Sequence, residues 1–183
     1  MTIKLSQAMM SKNSKISLLT FNIMAQFSLM KCITKYNCSM NRKQIATTSI
    51  SIQASAAEVW DALTNPDKIR QYLYGTETHT SWVLYSPITF TGTWNGMPYV
   101  DKGTILEINP LRVLSYSYWS PLSGKDDFED NYAHITFHLS TFDTETILVI
   151  TQDNLETDEE VVNAESNWMK VGQEIKKIAE KEA

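Results

Sequence analysis

Residues 55–73 read SAAEVWDALTNPDKIRQYL, and this stretch predicts two short helices joined at an Asn-Pro step. Ser55, with Glu58 three residues on, forms a capping box in which each side chain satisfies a backbone N–H at the helix start. Val59, Trp60 and Leu63 follow as an apolar stripe at helical spacing. Asn65 precedes Pro66 and is pushed out of the α region, which stops the first helix. The same pair starts the second helix, with Asn65 as cap and Pro66 at the first helical position. Ile69, Tyr72 and Leu73 supply its apolar side. Two turns followed by two turns cannot enclose a core, so both helices must lie on something larger.

That larger element is a β-sheet. Before the helices, QIATTSISIQA (44–54) alternates with Thr48, Ile50 and Ile52 on one face, as a half-buried strand does. After them, SPITFTGTW (86–94) sets Ile88, Phe90 and Trp94 against three threonines, and Asn95-Gly96 signals a hairpin. GTILEIN (103–109) ends at Pro110, and RVLSYSYW (112–119) sets Leu114, Tyr116 and Tyr118 against serines. A loop is expected at 120–131, followed by AHITFHLS (133–140) and the β-branched TILVITQ (146–152). The last element is a long helix, with Thr157 and Glu160 as a second capping box. Val161, Ala164, Trp168, Val171, Ile175 and Ile178 form its single apolar stripe. Successive strands joined by short turns predict an antiparallel meander, and only the final helix is long enough to cover its apolar face. A curved sheet gripping that helix leaves a wedge-shaped gap, with the opening helices closing one end.

Composition is that of an ordinary globular protein. Of 183 residues, 43% are apolar and 20% charged. The net charge of −5 argues against a nucleic-acid surface, which needs clustered Lys and Arg. Residues 1–43 differ from the rest and are expected to be a leader or tail, poorly ordered or a short amphipathic helix, ahead of a domain at 44–183. Lysines precede ISLLTFNIMAQFSLM (16–30), but Asn22 and Gln26 interrupt the run, and no small-residue cleavage site follows. The run is too short and polar for a membrane span. Ile16, Leu19, Ile23, Phe27 and Met30 share one helical face, while MNRKQIATTSI from Met40 reads as a natural start. A dispensable leader, an amphipathic segment and an export signal all remain open. Cys32 and Cys38, the two cysteines, read either as reduced thiols of a cytoplasmic protein or as a small disulfide loop.

The segments ISIQASAAEVWDALTNPDKIRQYL, GTILEINPLRVLSYSYW, TILVITQDNL and NWMKVGQEIKKIAEK, in this order and spacing, resemble the SRPBCC (START-like, helix-grip) superfamily. Within it they are most similar to the branch of the C-terminal domain of the activator of heat-shock protein 90 ATPase. The resemblance covers residues 44–182. It implies an α+β fold, β-α-α-β(6)-α, with a curved antiparallel sheet wrapped round a long C-terminal helix and usually a cavity between them. It further implies the stand-alone version of the domain, since 43 residues cannot supply the larger N-terminal domain of the eukaryotic co-chaperones.

Period-two alternation places Phe90, Trp94, Leu114, Tyr116, Tyr118, Ile135, Phe137, Leu148 and Ile150 on the cavity face, with Trp168, Val171 and Ile175 opposite on the helix. These residues either fill a core or line a pocket for a small hydrophobic or aromatic ligand. Tyr116 and Tyr118 are the candidates for hydroxyl contacts. Glu107 shares a face with Ile105 by alternation, and an inward carboxylate could act as a general base. Gln152 is a weaker polar candidate. His134 and His138 are separated by four strand residues, roughly 13 Å, and cannot share one metal ion; His79 stands alone in a loop. No phosphate loop, Ser-His-Asp arrangement or Cys nucleophile lies in the domain, so no enzyme, metal or cofactor is assigned. The expected function is binding of a small hydrophobic ligand. The alternatives are a co-chaperone-like module that regulates a chaperone ATPase, or an enzyme acting on a hydrophobic substrate.

Overall fold

The computed structural model describes residues 44–181. The expected leader, with its apolar stripe and both cysteines, lies outside the described residues. Among these residues the order is β1 (Gln44–Ile52), α1 (Ala56–Thr64), α2 (Pro66–Tyr72), β2 (Glu77–Thr80), β3 (Pro87–Trp94), β4 (Met97–Asn109), β5 (Val113–Tyr118), β6 (Ala133–Phe142), β7 (Glu145–Leu155) and α3 (Asp158–Glu180). The strands form one antiparallel sheet of seven in the order β1-β7-β6-β5-β4-β3-β2. Six strands follow the helix pair, as the β-α-α-β(6)-α pattern requires.

Local chemistry sets the element ends. The Ser55–Glu58 capping box is complete, and its hydrogen bonds hold the Glu58 carboxyl below its ordinary range. Asn65 caps α2 through the Asp67 N–H, with Pro66 in the first turn. The expected box at α3 is only half made: Thr157 accepts from the Glu160 N–H, but the Glu160 carboxylate turns back to the Glu156 N–H. Asn95 and Gly96 both have positive φ (51° and 80°), as a two-residue hairpin of type I′ needs. His79 lies on β2 rather than in a loop, because ETHT pairs along Thr91–Ile88 of β3.

Helix α3 packs along β1 and β7. Gly172 makes the approach close: a β-carbon there would stand 1.7 Å from Ile50 Cδ1. Polar ties reinforce the contact, with Thr48 Oγ1 donating to the Glu165 carbonyl at 3.2 Å and Lys176 Nζ to the Ser51 carbonyl at 2.8 Å. Ile50, Ile52, Val59, Leu63, Ile69, Leu114, Leu148, Ile150 and Ile175 form the main core between sheet and helices. Fully burying one such side chain stabilises the fold by about 1.5–3 kcal/mol.

The β5–β6 connection is fastened down. Asn154 Nδ2 donates to the carbonyls of Asp130 and Tyr132, and Lys102 pairs with Asp127. Among the described residues, no helix is long and apolar enough to cross a membrane.

Candidate functional site

Beside the N-terminal half of α3, which is tied to β1 at Thr48, the central strands are left uncovered and a cavity of about 690 Å³ opens. Its floor is the inner face of the central strands: Phe90 from β3, Tyr116 and Tyr118 from β5, Ile135 and Phe137 from β6. Trp168 and Val171 form the helical wall, and Tyr72 and Leu73, at the end of α2, close one end. Exposed Tyr74, Thr93, Trp94, Asn163 and Asn167 make the rim.

Aromatic rings dominate the floor. Phe90 meets Tyr116 at 5.5 Å and Tyr118 at 6.0 Å between ring centres, and Trp168 meets Phe137 edge-on at 5.8 Å. Such offset and edge-on pairs align positive ring edges with negative faces. The Trp168 indole also donates its N–H to Gln152 Oε1 at 2.7 Å.

A small set of polar groups lies among the rings. Asp101 is the cross-strand partner of Phe90, so both point to the inner face. The Tyr118 hydroxyl donates to Asp101 Oδ2 at 2.5 Å, while Oδ1 is buried without a hydrogen-bond partner. Thr76 Oγ1 donates to the Leu73 carbonyl at 2.7 Å. Its single proton is thereby used, so the Tyr99 hydroxyl is the donor in the 2.7 Å bond between Tyr99 and Thr76. Tyr99 lies across Gly92, where a β-carbon would stand 2.6 Å from its hydroxyl and would displace the ring from this position. Burial pushes the ionisation of Tyr116 and Tyr72 well up, and the negative neighbourhood of Asp101 adds to burial at Tyr118.

The structure divides the expected site residues. Phe90, Trp94, Tyr116, Tyr118, Ile135, Phe137, Trp168 and Val171 line the cavity, with Trp94 at the rim and 64% exposed. Leu114, Leu148, Ile150 and Ile175 do not; they are fully enclosed in the core beside it. Glu107 is a correction. A β-bulge between Ile105 and Glu107 breaks the alternation, so Ile108 takes the inward place opposite Leu114 and Glu107 is exposed. The general-base reading of Glu107 falls with it. His134 pairs with Asp153 at 2.9 Å on the outer face. Among the described residues no group of His, Cys, Asp and Glu side chains could hold a metal ion.

Sequence reasoning missed Tyr99 and Asp101. Pro98 and the acidic Asp101 hid the first half of β4, which extends the strand back from 103 to Met97. The signal was present in the Asn-Gly turn, which fixes the register of the hairpin and sets Gly92 against Tyr99 and Phe90 against Asp101.

The family model described as Activator of Hsp90 ATPase homolog 1-like protein matches residues 53–180. The solution structure of ChR145 from Cytophaga hutchinsonii is similar at a TM-score of 0.69 and 39% identity, over 76% of this chain and 96% of that one. The crystal structure of protein MLL2253 from Mesorhizobium loti follows at 0.63 and 18%, over 75% and 98%. The Aha1 dimer from Colwellia psychrerythraea gives 0.57 and 18%, over 73% and 93%. The two at 18% identity share the fold alone. Comparison with curated proteins finds no match. With most of its length matched by the family model and the helix-grip architecture in place, the chain belongs to the Activator of Hsp90 ATPase homolog 1-like family.

Proposed function

We propose that the domain binds a small, largely apolar or aromatic molecule in the gap between the sheet and α3. The observation that carries this reading is the cavity itself: about 690 Å³, floored by aromatic rings, with apolar surface predominating over polar. Ligand pockets typically enclose about 300–1,000 Å³ with this kind of lining. A rim of exposed residues leaves a way in, and the strut from Trp168 to Gln152 holds the wall in place.

The test is titration with Nile red, a neutral dye that brightens in apolar surroundings. Saturable binding is expected, and Val171→Trp, which fills the gap, should weaken it. Absence of saturable binding, or affinity untouched by the filling substitution, would remove the reading.

Membership of the family favours a second reading, in which the domain regulates a chaperone ATPase. Under it, adding the protein changes the ATP turnover of the host's Hsp90-type chaperone; unchanged turnover eliminates it. Either role belongs in the cytoplasm, which fractionation of the host cell tests.

A further inference from the structure

The charge lining the cavity has one sign. Among its lining residues only Asp101 and Glu160 are charged; no Lys, Arg or His borders it. Asp101 is the deeper of the two, 6% exposed, held through Oδ2 by Tyr118 and orphaned at Oδ1. Among the described residues no cation pairs with it. A carboxylate withdrawn from water is costly unless an opposite charge or further donors compensate it. One phenol is a partial answer.

The neighbours point the same way. Phe90 and Tyr118 adjoin this carboxylate and Tyr116 adjoins them, and their ring faces carry negative charge density. Rings attract a cation at their faces, and the carboxylate attracts it along a charge-assisted hydrogen bond. An anionic ligand would meet repulsion from Asp101, and a neutral apolar one would leave Oδ1 orphaned.

We propose that the pocket selects an organic cation: an N–H-bearing ammonium on an apolar body, with the nitrogen at Asp101 and the body along Tyr116, Phe137 and Trp168. The carboxylate turns about its Cβ–Cγ bond to bring an oxygen to the cavity as the ammonium arrives. The proposal rests on the ligand-binding reading above and narrows it to one chemical class.

Three fluorescent probes with the same dansyl group test it: dansylcadaverine, which ends in an amine; N-butyl dansylamide, which is uncharged; and dansyl-5-aminovaleric acid, an anion. Titrations of the full chain at about 0.15 M salt limit the contribution of the overall negative charge. The amine is expected to bind about tenfold or more tightly than the neutral probe, and the acid most weakly. Asp101→Asn keeps an acceptor for Tyr118 and should abolish the amine's advantage over the neutral probe.

Equal binding of amine and neutral probe, or an advantage that survives Asp101→Asn, overturns the proposal. In those cases binding of the neutral probe still upholds the apolar pocket. If no probe binds, both readings fall together. Should Asp101→Asn not fold, Tyr118→Phe replaces it. Freeing Oδ2 should raise the amine's advantage, and an unchanged ratio overturns the proposal.

Discussion

The indole N–H of Trp168 donates to Gln152 Oε1 at 2.7 Å, bracing the terminal helix against the last strand at the edge of the cavity. The same ring meets Phe137 edge-on, so one side chain both spans the gap and helps to wall it. Gln152→Leu is expected to cost about 1 kcal/mol by stranding a half-buried donor. Trp168→Ala is expected to cost about 3 kcal/mol through lost packing. Urea unfolding measures both; a loss under about 0.5 kcal/mol for the tryptophan would mean the ring contributes little to the wall.

Gly172 sits where α3 comes closest to β1. With Ile50 Cδ1 only 1.7 Å from a β-carbon placed there, Gly172→Ala must push the helix outward or force Ile50 off its rotamer. The expected cost is about 1–3 kcal/mol. Ile50→Val removes the clashing methyl and leaves the next atom, Cγ1, at 3.2 Å. The double mutant should therefore lose less than the sum of the single losses. Strict additivity in denaturant unfolding would contradict the close approach.

Alkaline pH should weaken the fold. Tyr72, Tyr116 and Tyr118 are held above the ordinary phenol range, chiefly by burial. In the unfolded chain these groups ionise near pH 10, so above that pH the unfolded state binds fewer protons than the native one. The stability they supply is full below about pH 10 and is lost as pH rises beyond it. Denaturant melts between about pH 8 and 11 should show this decline, with Tyr116→Phe making it shallower. Equal slopes in the two proteins would mean that Tyr116 ionises freely.

Glu107→Gln should change little. The bulge turns this carboxylate out to solvent, where single substitutions usually shift stability by less than about 0.5 kcal/mol. Thermal melting and Nile red affinity should both match the parent. A loss of dye binding would place the side chain back in the cavity.

The regular parts of the fold could be read from the sequence because each obeys a local rule. Thr48, Ile50 and Ile52 alternate into the core, Ser55 and Glu58 cap α1, and the stripe from Val161 to Ile178 predicts α3. The failures lie where tertiary geometry overrides period. One extra residue at the bulge inverts every side chain after Ile105, and no pattern in ILEI shows it. Residues 97–102 carry no strand pattern, yet Pro98 and Asp101 both lie on β4, Asp101 with its carboxylate bonded to Tyr118. Depth is the other gap: alternation finds the inner face but cannot separate Leu114, Leu148 and Ile150, which the helices cover, from Tyr116 and Phe137, which the wedge leaves open.

The most direct measurement is the indole ¹H–¹⁵N resonance of Trp168 during titration with N-butyl dansylamide. A probe seated between sheet and helix should shift that signal saturably, together with the backbone amides of Tyr116 and Phe137. Shifts confined to the outer face around His134 and His138, with Trp168 unmoved at saturation, would show that the gap holds no ligand.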